Sequence, residues 1–376
     1  MNTSKHIFMH KLFKALADSI IKTFIPLYIF KQTGNLNLAV AYLIAQSFFT
    51  LLTMSFLKKV LEHQTVFCVI IHCIPIILAQ SLLAFFDLSL TNILITALLM
   101  AVAQTLYSIP FNLIFTYCDK KTNVSGFQIA SNLGSLIFTL ISGFSIAKIQ
   151  GSFAYLCLIS AILYIISAAS MFCIRKELKQ YSFTKPEVKP KNKKTYLLYN
   201  LFHIGFGCFQ IIIDYIVPLY LYANNLSFEA VTIIIALVKV VRILVAYFVK
   251  FFKPNKIYVA SSLVALISFI ISCVMIMHIK NVIVLYVLSC LVEITFPIFF
   301  IPMYKLFCNQ LKDDNFVYQG TFERDMYIFS CRPLTFASFF LCHSFLPCFI
   351  LGTGFTFLMQ TSTMFICKNQ TKKPSD

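Results

Sequence analysis

The sequence of 376 residues contains no Trp, only 10 Gly and only 14 acidic residues, which stand against 31 basic ones. Charged residues make up 12% of the chain, whereas soluble domains carry about a quarter. A soluble chain of this length would need a surface of mixed charge. This scarcity of charge therefore excludes a soluble globular protein.

Motifs of several enzyme and metal-binding classes are absent as well. The chain has no HExxH, GxSxG or Walker A motif, so it lacks the signatures of zinc proteases, serine hydrolases and pumps driven by nucleotide hydrolysis. Its 13 Cys include no CxxC and no Cys/His pair at zinc spacing. We predict no catalytic residues and no metal site, and we expect the Cys to be small packing residues.

Long apolar segments are what the sequence has in abundance. The chain is 59% hydrophobic with a mean hydropathy of +0.83. Segments of about 20 apolar residues recur, each long enough to cross roughly 30 Å of hydrocarbon as a helix. Because backbone polar groups in lipid must be satisfied within the segment, we predict an all-α integral membrane protein. The twelve predicted spans cover residues 8–30, 37–57, 65–86, 90–117, 127–147, 152–174, 196–222, 227–249, 256–278, 282–304, 325–345 and 347–367.

The basic residues predict the orientation of these spans. Lys and Arg cluster at the N-terminus, in alternate loops such as 57–59 and at the C-terminus, in 368–373. The opposite loops hold only Lys31, Lys148 and Lys280. The positive-inside rule then places both termini in the cytoplasm. The first span has no small-residue cleavage site after it, so we interpret it as a retained helix rather than a signal peptide.

The distribution of Lys and Arg along the chain also indicates which partners to expect. The net charge of +17 follows from membrane topology, and its scattered basic residues do not form the single basic face of a nucleic-acid-binding protein. We therefore expect the lipid bilayer, and no nucleic acid, as a partner. The composition, rich in Lys, Ile, Phe and Asn, favours a bacterial inner (plasma) membrane, and we expect the chain to function as a monomer.

Several short patterns occur twice, 192 residues apart. "PLY" stands at 26–28 and again at 218–220, at equivalent places in spans 1 and 7. The same offset relates three further pairs in equivalent spans: Phe56 and Phe248, Lys58 and Lys250, and Ile109-Pro110 and Ile301-Pro302. These matches predict a duplicated six-helix unit. Since six is even, both copies enter the membrane in the same sense, which gives a parallel repeat about a pseudo-two-fold axis along the membrane normal.

The repeat predicts three parts of the chain. Residues 1–174 form the first six-helix bundle, and residues 196–376 form the second with a short cytoplasmic tail. Residues 175–195, rich in Lys and Pro, form a basic cytoplasmic linker between them.

This arrangement resembles the major facilitator superfamily of secondary transporters. The resemblance rests on the 6+6 pattern, the cytoplasmic central loop and the half-to-half repeat, and it covers essentially the whole chain. It implies alternating access, in which two bundles rock about a central cavity that binds a small-molecule solute near the bilayer midplane. The loop "LKKVLEHQT" at 57–65 lacks the Gly and the Asp that many members carry there. The resemblance therefore assigns no subfamily.

Ionisable and amide side chains within spans are the candidates for solute binding or ion coupling, because such residues are costly in lipid. The candidates are Asp18, Gln104, His203, Gln210, Lys239, Arg242, Glu293 and Arg332. Asp18 and Glu293 lie near the middle of their spans. A carboxylate withdrawn from water can take up and release a proton near neutral pH, so protons are the one coupling ion we consider; we predict no other cofactor. A permanently paired carboxylate is the alternative for both.

Lys22 and Asp214 suggest a gate. They are 192 residues apart, and each lies four residues before its PLY tripeptide. Opposite charges at equivalent positions of spans 1 and 7 predict an ion pair between the bundles that helps close the external side. The alternative is local, since Asp18 and Lys22 are four residues apart on one helix face.

The cations of the second half indicate a solute class. Lys239 and Arg332 lie within spans, and Arg242 either binds solute or extends toward the cytoplasmic interface. With cations in excess of carboxylates, the second half favours an anionic or zwitterionic solute. A secondary transporter is therefore our main prediction. A membrane-embedded lipid-modifying enzyme, or a receptor or scaffold on the same fold, are the alternatives.

Overall fold

The computed structural model describes residues 3–118, 124–178, 190–249, 251 and 256–370. Within these ranges the regular secondary structure is helical, and no strand occurs. The first half contains α1 (Thr3–Ile20), α2 (Ile25–Thr33), α3 (Leu36–His63), α4 (Thr65–Ile71), α5 (Cys73–Phe85), α6 (Leu90–Cys118), α7 (Val124–Lys148), α8 (Ser152–Cys173) and α9 (Arg175–Leu178). The second half contains α10 (Lys193–Ile211), α11 (Val217–Ala223), α12 (Phe228–Val249), α13 (Lys256–His278), α14 (Val282–Asp313), α15 (Val317–Ser330), α16 (Arg332–Ala337), α17 (Phe339–Cys342) and α18 (Leu346–Gln370).

Helical segments are present at all twelve predicted spans. Nine segments of the described chain are long and apolar enough to cross a membrane. Predicted spans 1, 5 and 11 are helical as well but are not among these nine. Large apolar side chains cover the outer surface, for example Phe56 at 82% exposed and Leu341 at 79%. The all-α membrane fold is thus confirmed.

The repeated proline explains a shared break in spans 1 and 7, where an uninterrupted helix had been predicted. Between α1 and α2 lies a short 3₁₀ helix, Lys22–Phe24, and between α10 and α11 lies a π-helix, Ile212–Ile216. Each break is followed at once by Pro26 or Pro218. Proline lacks an N–H group and its ring clashes with the carbonyl four residues earlier, which here belongs to Lys22 or Asp214. The repeat thus marks equivalent irregular turns in both halves.

Two other predicted spans are also broken. Span 3 is interrupted at His72, between α4 and α5. Span 11 begins earlier than predicted and consists of α15, α16 and α17, with Pro333 in the first turn of α16. By contrast, Pro110 and Pro302 lie inside uninterrupted helices. Hydropathy determines where the chain crosses the membrane but not where a helix deviates from α geometry.

Helix contacts show how the halves meet. α1 packs on α7 and α8, and α10 packs on α15 and α18, so each half has its own helix contacts. Between the halves, α7 packs on α12 and α3 packs on α15 and α16. The two contacts are equivalent under a six-helix repeat. The first joins spans 5 and 8, and the second joins their counterparts, spans 11 and 2. The predicted part boundaries remain a prediction, and residues 179–189 of the predicted linker lie outside the described residues.

Two polar contacts join repeat-related residues directly. Tyr304 Oη donates a hydrogen bond to Asn112 Oδ1 at 3.2 Å, and Thr116 Oγ1 lies 3.8 Å from Cys308 Sγ. Each pair is separated by 192 residues, the offset of the sequence repeat. Two equivalent residues can touch each other only near the symmetry axis, so the axis passes between α6 and α14.

Candidate functional site

A cavity of about 450 Å³ lies between the two halves. Its described lining comes from α1, α3, α6 and α7 of the first half and from α10, α11, α12, α14, α15 and α16 of the second, together with the 3₁₀ helix before α2 and the π-helix before α11. These elements belong to predicted spans 1, 2, 4, 5, 7, 8, 10 and 11. All ten predicted site residues line this cavity: Asp18, Lys22, Gln104, His203, Gln210, Asp214, Lys239, Arg242, Glu293 and Arg332. Their roles in binding or coupling remain predictions.

Arg242 is the centre of an ion cluster. Its Nε donates to Glu293 Oε2 at 2.5 Å, and its Nη2 donates to Glu293 Oε1 at 3.0 Å and to Asp214 Oδ1 at 2.6 Å. Arg242 also lies over the Phe296 ring at 4.6 Å. The guanidinium therefore faces the bundle interior instead of extending to the cytoplasmic interface. One cation serves two carboxylates, and the Glu293 side chain is 1% exposed.

Asp18 is paired with a lysine that was not among the predicted residues. Lys14 Nζ lies 2.5 Å from Asp18 Oδ2, and the Tyr164 hydroxyl donates to Asp18 Oδ1. Both Lys14 and Lys22 are four residues from Asp18, but the 3₁₀ turn at Lys22–Phe24 interrupts the helix between Asp18 and Pro26. The local Asp18–Lys22 pair that the spacing predicted is therefore replaced by Lys14–Asp18.

Lys22 and Asp214 have other partners in this structure. Lys22 Nζ donates to Gln104 Oε1 at 2.8 Å, while Asp214 accepts from Arg242. The predicted gate between the two bundles is not formed in this conformation, and it stays a prediction.

Lys239 and Arg332 are each held by neutral groups. Lys239 Nζ reaches from α12 to α7, where it donates to Ser135 Oγ at 3.0 Å and to Thr139 Oγ1 at 2.6 Å. Arg332 Nη2 donates to Gln210 Oε1 at 2.7 Å. Neither cation therefore has a carboxylate partner within ion-pair distance in the described ranges.

His203 is mostly a packing residue in this conformation. It is buried, and its ring meets Phe307 edge-on at 4.6 Å between centroids. Its Nδ1 has no hydrogen-bond partner among the described residues.

Four charged lining residues were missing from the predicted site: Lys11, Lys14, Arg324 and Asp325. Arg324 and Asp325 form a buried ion pair within α15, and the predicted span 11 began only at residue 325, after Arg324. Lys14 could have been found from its position four residues before Asp18, the same helical spacing that had suggested Lys22.

The cavity wall has a surplus of positive charge. It carries seven Lys and Arg side chains and four carboxylates. Ion pairs in the described chain use Lys14, Arg242 and Arg324. The remaining four cations have no carboxylate within ion-pair distance in the same ranges: Lys11, Lys22, Lys239 and Arg332. No group of three or more His, Cys, Asp or Glu side chains suited to a metal ion occurs in the part of the chain that the structure describes.

Comparisons with known proteins find similar structures but no similar sequence profile. No family profile and no curated protein matches the sequence. Solved structures do match the fold. A bacterial homologue of the iron transporter ferroportin in its outward-facing state superposes with a TM-score of 0.70 at 11% identity, over 98% of this chain and 100% of the other. The nucleoside transporter NupG gives 0.67 at 13% identity, over 97% and 100%. The transporter FucP, in its outward conformation, gives 0.57 at 13%, over 97% and 99%.

The chain has the major facilitator fold. The resemblance drawn from the 6+6 pattern is confirmed at this level, and the low identities show how divergent the sequence is. The neighbours are transporters rather than enzymes, as the sequence had led us to expect. Every third predicted span, namely 3, 6, 9 and 12, contributes none of the described lining residues of the cavity.

Proposed function

We propose that this major facilitator protein is a secondary active transporter of a small anionic or zwitterionic solute. The observation that carries the proposal is the surplus of cations on a cavity shared by both halves. Charges inside the membrane region are retained at a cost, so they mark a pathway for charged solutes. Attraction between opposite charges is strong where little water screens it, and the four cations without a carboxylate partner in the described ranges are free to take an anion.

Contacts between the halves at both ends of the cavity support alternating access. At the end predicted to be external, Phe24 stacks on Phe228 at 5.9 Å and Phe30 meets Tyr222 edge-on at 5.4 Å. These aromatic contacts bring the outer parts of the two halves together. They must separate when the cavity opens outward.

At the opposite end of the cavity, polar contacts join the two halves. Besides the Asn112–Tyr304 bond, Tyr318 Oη of α15 donates to the Lys58 carbonyl oxygen of α3 at 2.8 Å. These few hydrogen bonds are weak enough to break during a transport cycle, since each contributes about 1 kcal/mol net. Opening toward the predicted cytoplasmic side requires their loss.

The solute test uses the purified full chain and a panel of small carboxylates, phosphorylated compounds, amino acids, sugars, nucleosides and Fe²⁺. A ligand that binds only the folded state adds about 2.7 kcal/mol at a hundredfold excess over its dissociation constant, so melting temperature reports binding. We expect anions to stabilise the protein and Lys22→Gln or Lys239→Gln to remove the effect. Lys193→Gln, an exposed lysine at the start of α10, is the matched control. Stabilisation by neutral sugars alone would refute the anionic class.

Counterflow in proteoliposomes separates transport from the alternative functions. A radiolabelled hit should accumulate in vesicles preloaded with the unlabelled compound. Binding without counterflow would favour a receptor or scaffold, and chemical conversion of the compound or of the lipid would favour an enzyme.

Proton coupling is proposed from the ion cluster at Arg242. Two carboxylates, Asp214 and Glu293, share one guanidinium, so one added proton makes the cluster neutral. Glu293 is the more buried of the two and is the proposed proton carrier. Glu293→Gln fixes the neutral state, and we expect it to abolish uptake driven by a pH gradient while leaving counterflow. Glu62→Gln is the matched control, because Glu62 lies near the end of α3 and is not among the lining residues of the cavity. Equal losses of both activities in Glu293→Gln would contradict a coupling role.

A further inference from the structure

The two halves line the cavity with different chemistry. The described lining residues of the first half are polar apart from Ala15 and Leu43, and none of them is aromatic. The second half contributes eight Phe and Tyr side chains to the same cavity. Phe residues occur throughout both halves of the sequence, so composition alone does not explain this division. All aromatic lining residues thus belong to the second half, which also carries seven of the eleven charged ones. We call the lining of the first half the polar wall and the eight Phe and Tyr side chains of the second half the aromatic wall.

Four side chains of the aromatic wall form one stack. Phe300 is stacked with Phe206 at 5.4 Å, with Phe296 at 5.5 Å and with Tyr304 at 5.1 Å between centroids, at interplanar angles of 24°, 26° and 12°. These values are typical of offset-stacked aromatic pairs. Phe206, Phe296 and Tyr304 are buried, whereas Phe300 is half-buried. Phe300 is therefore the member with the most surface left for a ligand.

Two cations stand at the polar wall. Lys22 is held by Gln104, and Lys239 crosses from the second half to the hydroxyls of Ser135 and Thr139. The buried Ser108 hydroxyl lines the same wall and has no partner among the described residues. Cations and a free hydroxyl group are the groups that bind a carboxylate or a phosphate.

We infer that the solute is an organic anion that carries an aromatic ring. Its anionic group contacts Lys22 and Lys239 at the polar wall, and its ring packs on the stack around Phe300. The inference rests on the proposed function, because it assumes that the cavity binds an anion. The volume of about 450 Å³ lies within the range of ordinary small-molecule sites, about 300–1,000 Å³.

Aromatic stacking predicts a measurable preference for an aromatic anion over a saturated one. An aromatic pair is stabilised beyond its buried area by about 0.5–1.5 kcal/mol, which corresponds to roughly a two- to tenfold difference in affinity. A saturated ring of similar size and the same charge receives the burial contribution but not the stacking contribution.

The test compares charge-matched pairs on the purified full chain: benzoate with cyclohexanecarboxylate, and phenyl phosphate with cyclohexyl phosphate. Dissociation constants come from the concentration dependence of melting temperature. We expect the aromatic member of at least one pair to bind about two- to tenfold more tightly. Phe300→Leu, which keeps an apolar side chain, should abolish the preference, and Phe300→Tyr should retain it. Phe357→Leu is the matched control, since Phe357 is 53% exposed on α18.

Each outcome decides a different claim. Equal affinities within both pairs, or a preference that persists in Phe300→Leu, overturn the aromatic inference while the anionic proposal stands. No binding by any of these anions, nor by the aliphatic anions of the solute panel, overturns the proposed function itself. If Phe300→Tyr folds and retains the preference for the aromatic anion, the loss in Phe300→Leu is not a purely structural effect.

Discussion

At the scale of single residues, the arrangement around Arg242 decides how the site is charged. The guanidinium bridges α14, through Glu293, and the π-helix after α10, through Asp214. Glu293 has no basic residue within a helical turn in the sequence, so the spacing of residues along the chain assigns it no partner. Its partner comes instead from another helix. Glu293 is thus paired with a guanidinium that it shares with Asp214, which is compatible with exchange of a proton.

Arg242→Ala should destabilise the folded protein strongly. The change leaves two carboxylates without a cation, one of them 1% exposed, and breaking a buried ion pair from one side costs about 3–5 kcal/mol. Melting temperature in detergent measures the effect. Arg332→Ala is the control, because this change removes contacts with the neutral Gln210 and the Phe329 ring and with no carboxylate within ion-pair distance. Adding Glu293→Gln to Arg242→Ala should recover part of the loss; equal destabilisation by the two arginine variants would argue against the cluster.

At the scale of helices, close packing between α7 and α12 connects the halves beside the cavity. Gly143 of α7 faces Thr232 of α12, and a Cβ added at Gly143 would lie 2.2 Å from Thr232 Cγ2 and Oγ1. Small residues at such crossings let membrane helices approach each other closely. Lys239 crosses the same interface to reach Ser135. The spacing of the two helices therefore sets the position of a candidate binding residue.

Gly143→Ala should weaken both stability and transport. The added methyl group forces α7 away from α12, and overpacking of this kind costs about 1–3 kcal/mol. Melting temperature and counterflow measure the two effects. Gly354→Ala is a matched control, because a Cβ at Gly354 meets no atom within 4 Å. If the two variants behave alike, close approach at Gly143 is not required.

The contact between α6 and α14 at the axis can be tested by cross-linking. In Thr116→Cys, the new thiol would stand beside Cys308, since the native Thr116 Oγ1 lies 3.8 Å from Cys308 Sγ. Oxidation should form a disulfide that holds the predicted cytoplasmic end closed, so transport should fall and reductant should restore it. Thr116→Cys in a Cys308→Ser background should show neither effect. Cross-linking with undiminished transport would mean that these helices do not separate during the cycle.

At the scale of the whole molecule, the backbone is pseudo-symmetric but the chemistry of the cavity is not. The backbone follows a pseudo-two-fold repeat, shown by equivalent breaks before Pro26 and Pro218 and by the 192-residue spacing of the contacts at the axis. The chemistry of the cavity does not follow it, because Asp18 and Lys22 correspond to Gln210 and Asp214. A pseudo-symmetric backbone around an asymmetric cavity is compatible with the proposed transport of a charged solute.

The orientation of the molecule predicts which loops face the outside. Lys148 and Lys193 are both exposed lysines at helix ends, and the positive-inside rule assigns them to opposite sides. We expect a membrane-impermeant maleimide to label Lys148→Cys in intact cells and Lys193→Cys only after permeabilisation. The wild-type chain, with its native Cys, provides the background. The reverse pattern would invert the predicted topology.

Sequence reasoning alone predicted the membrane class, the approximate positions of twelve helical spans, the repeat and ten residues of the cavity lining. These features follow from local rules: apolar length is set by bilayer thickness, and charged side chains avoid lipid. Tertiary structure alone decided which charges meet. Lys14 rather than Lys22 pairs with Asp18 because a turn between them interrupts the helix, and Arg242 joins two carboxylates brought by different helices. The division into a polar and an aromatic wall likewise depends on how helices rotate when they pack, which hydropathy along one chain does not record.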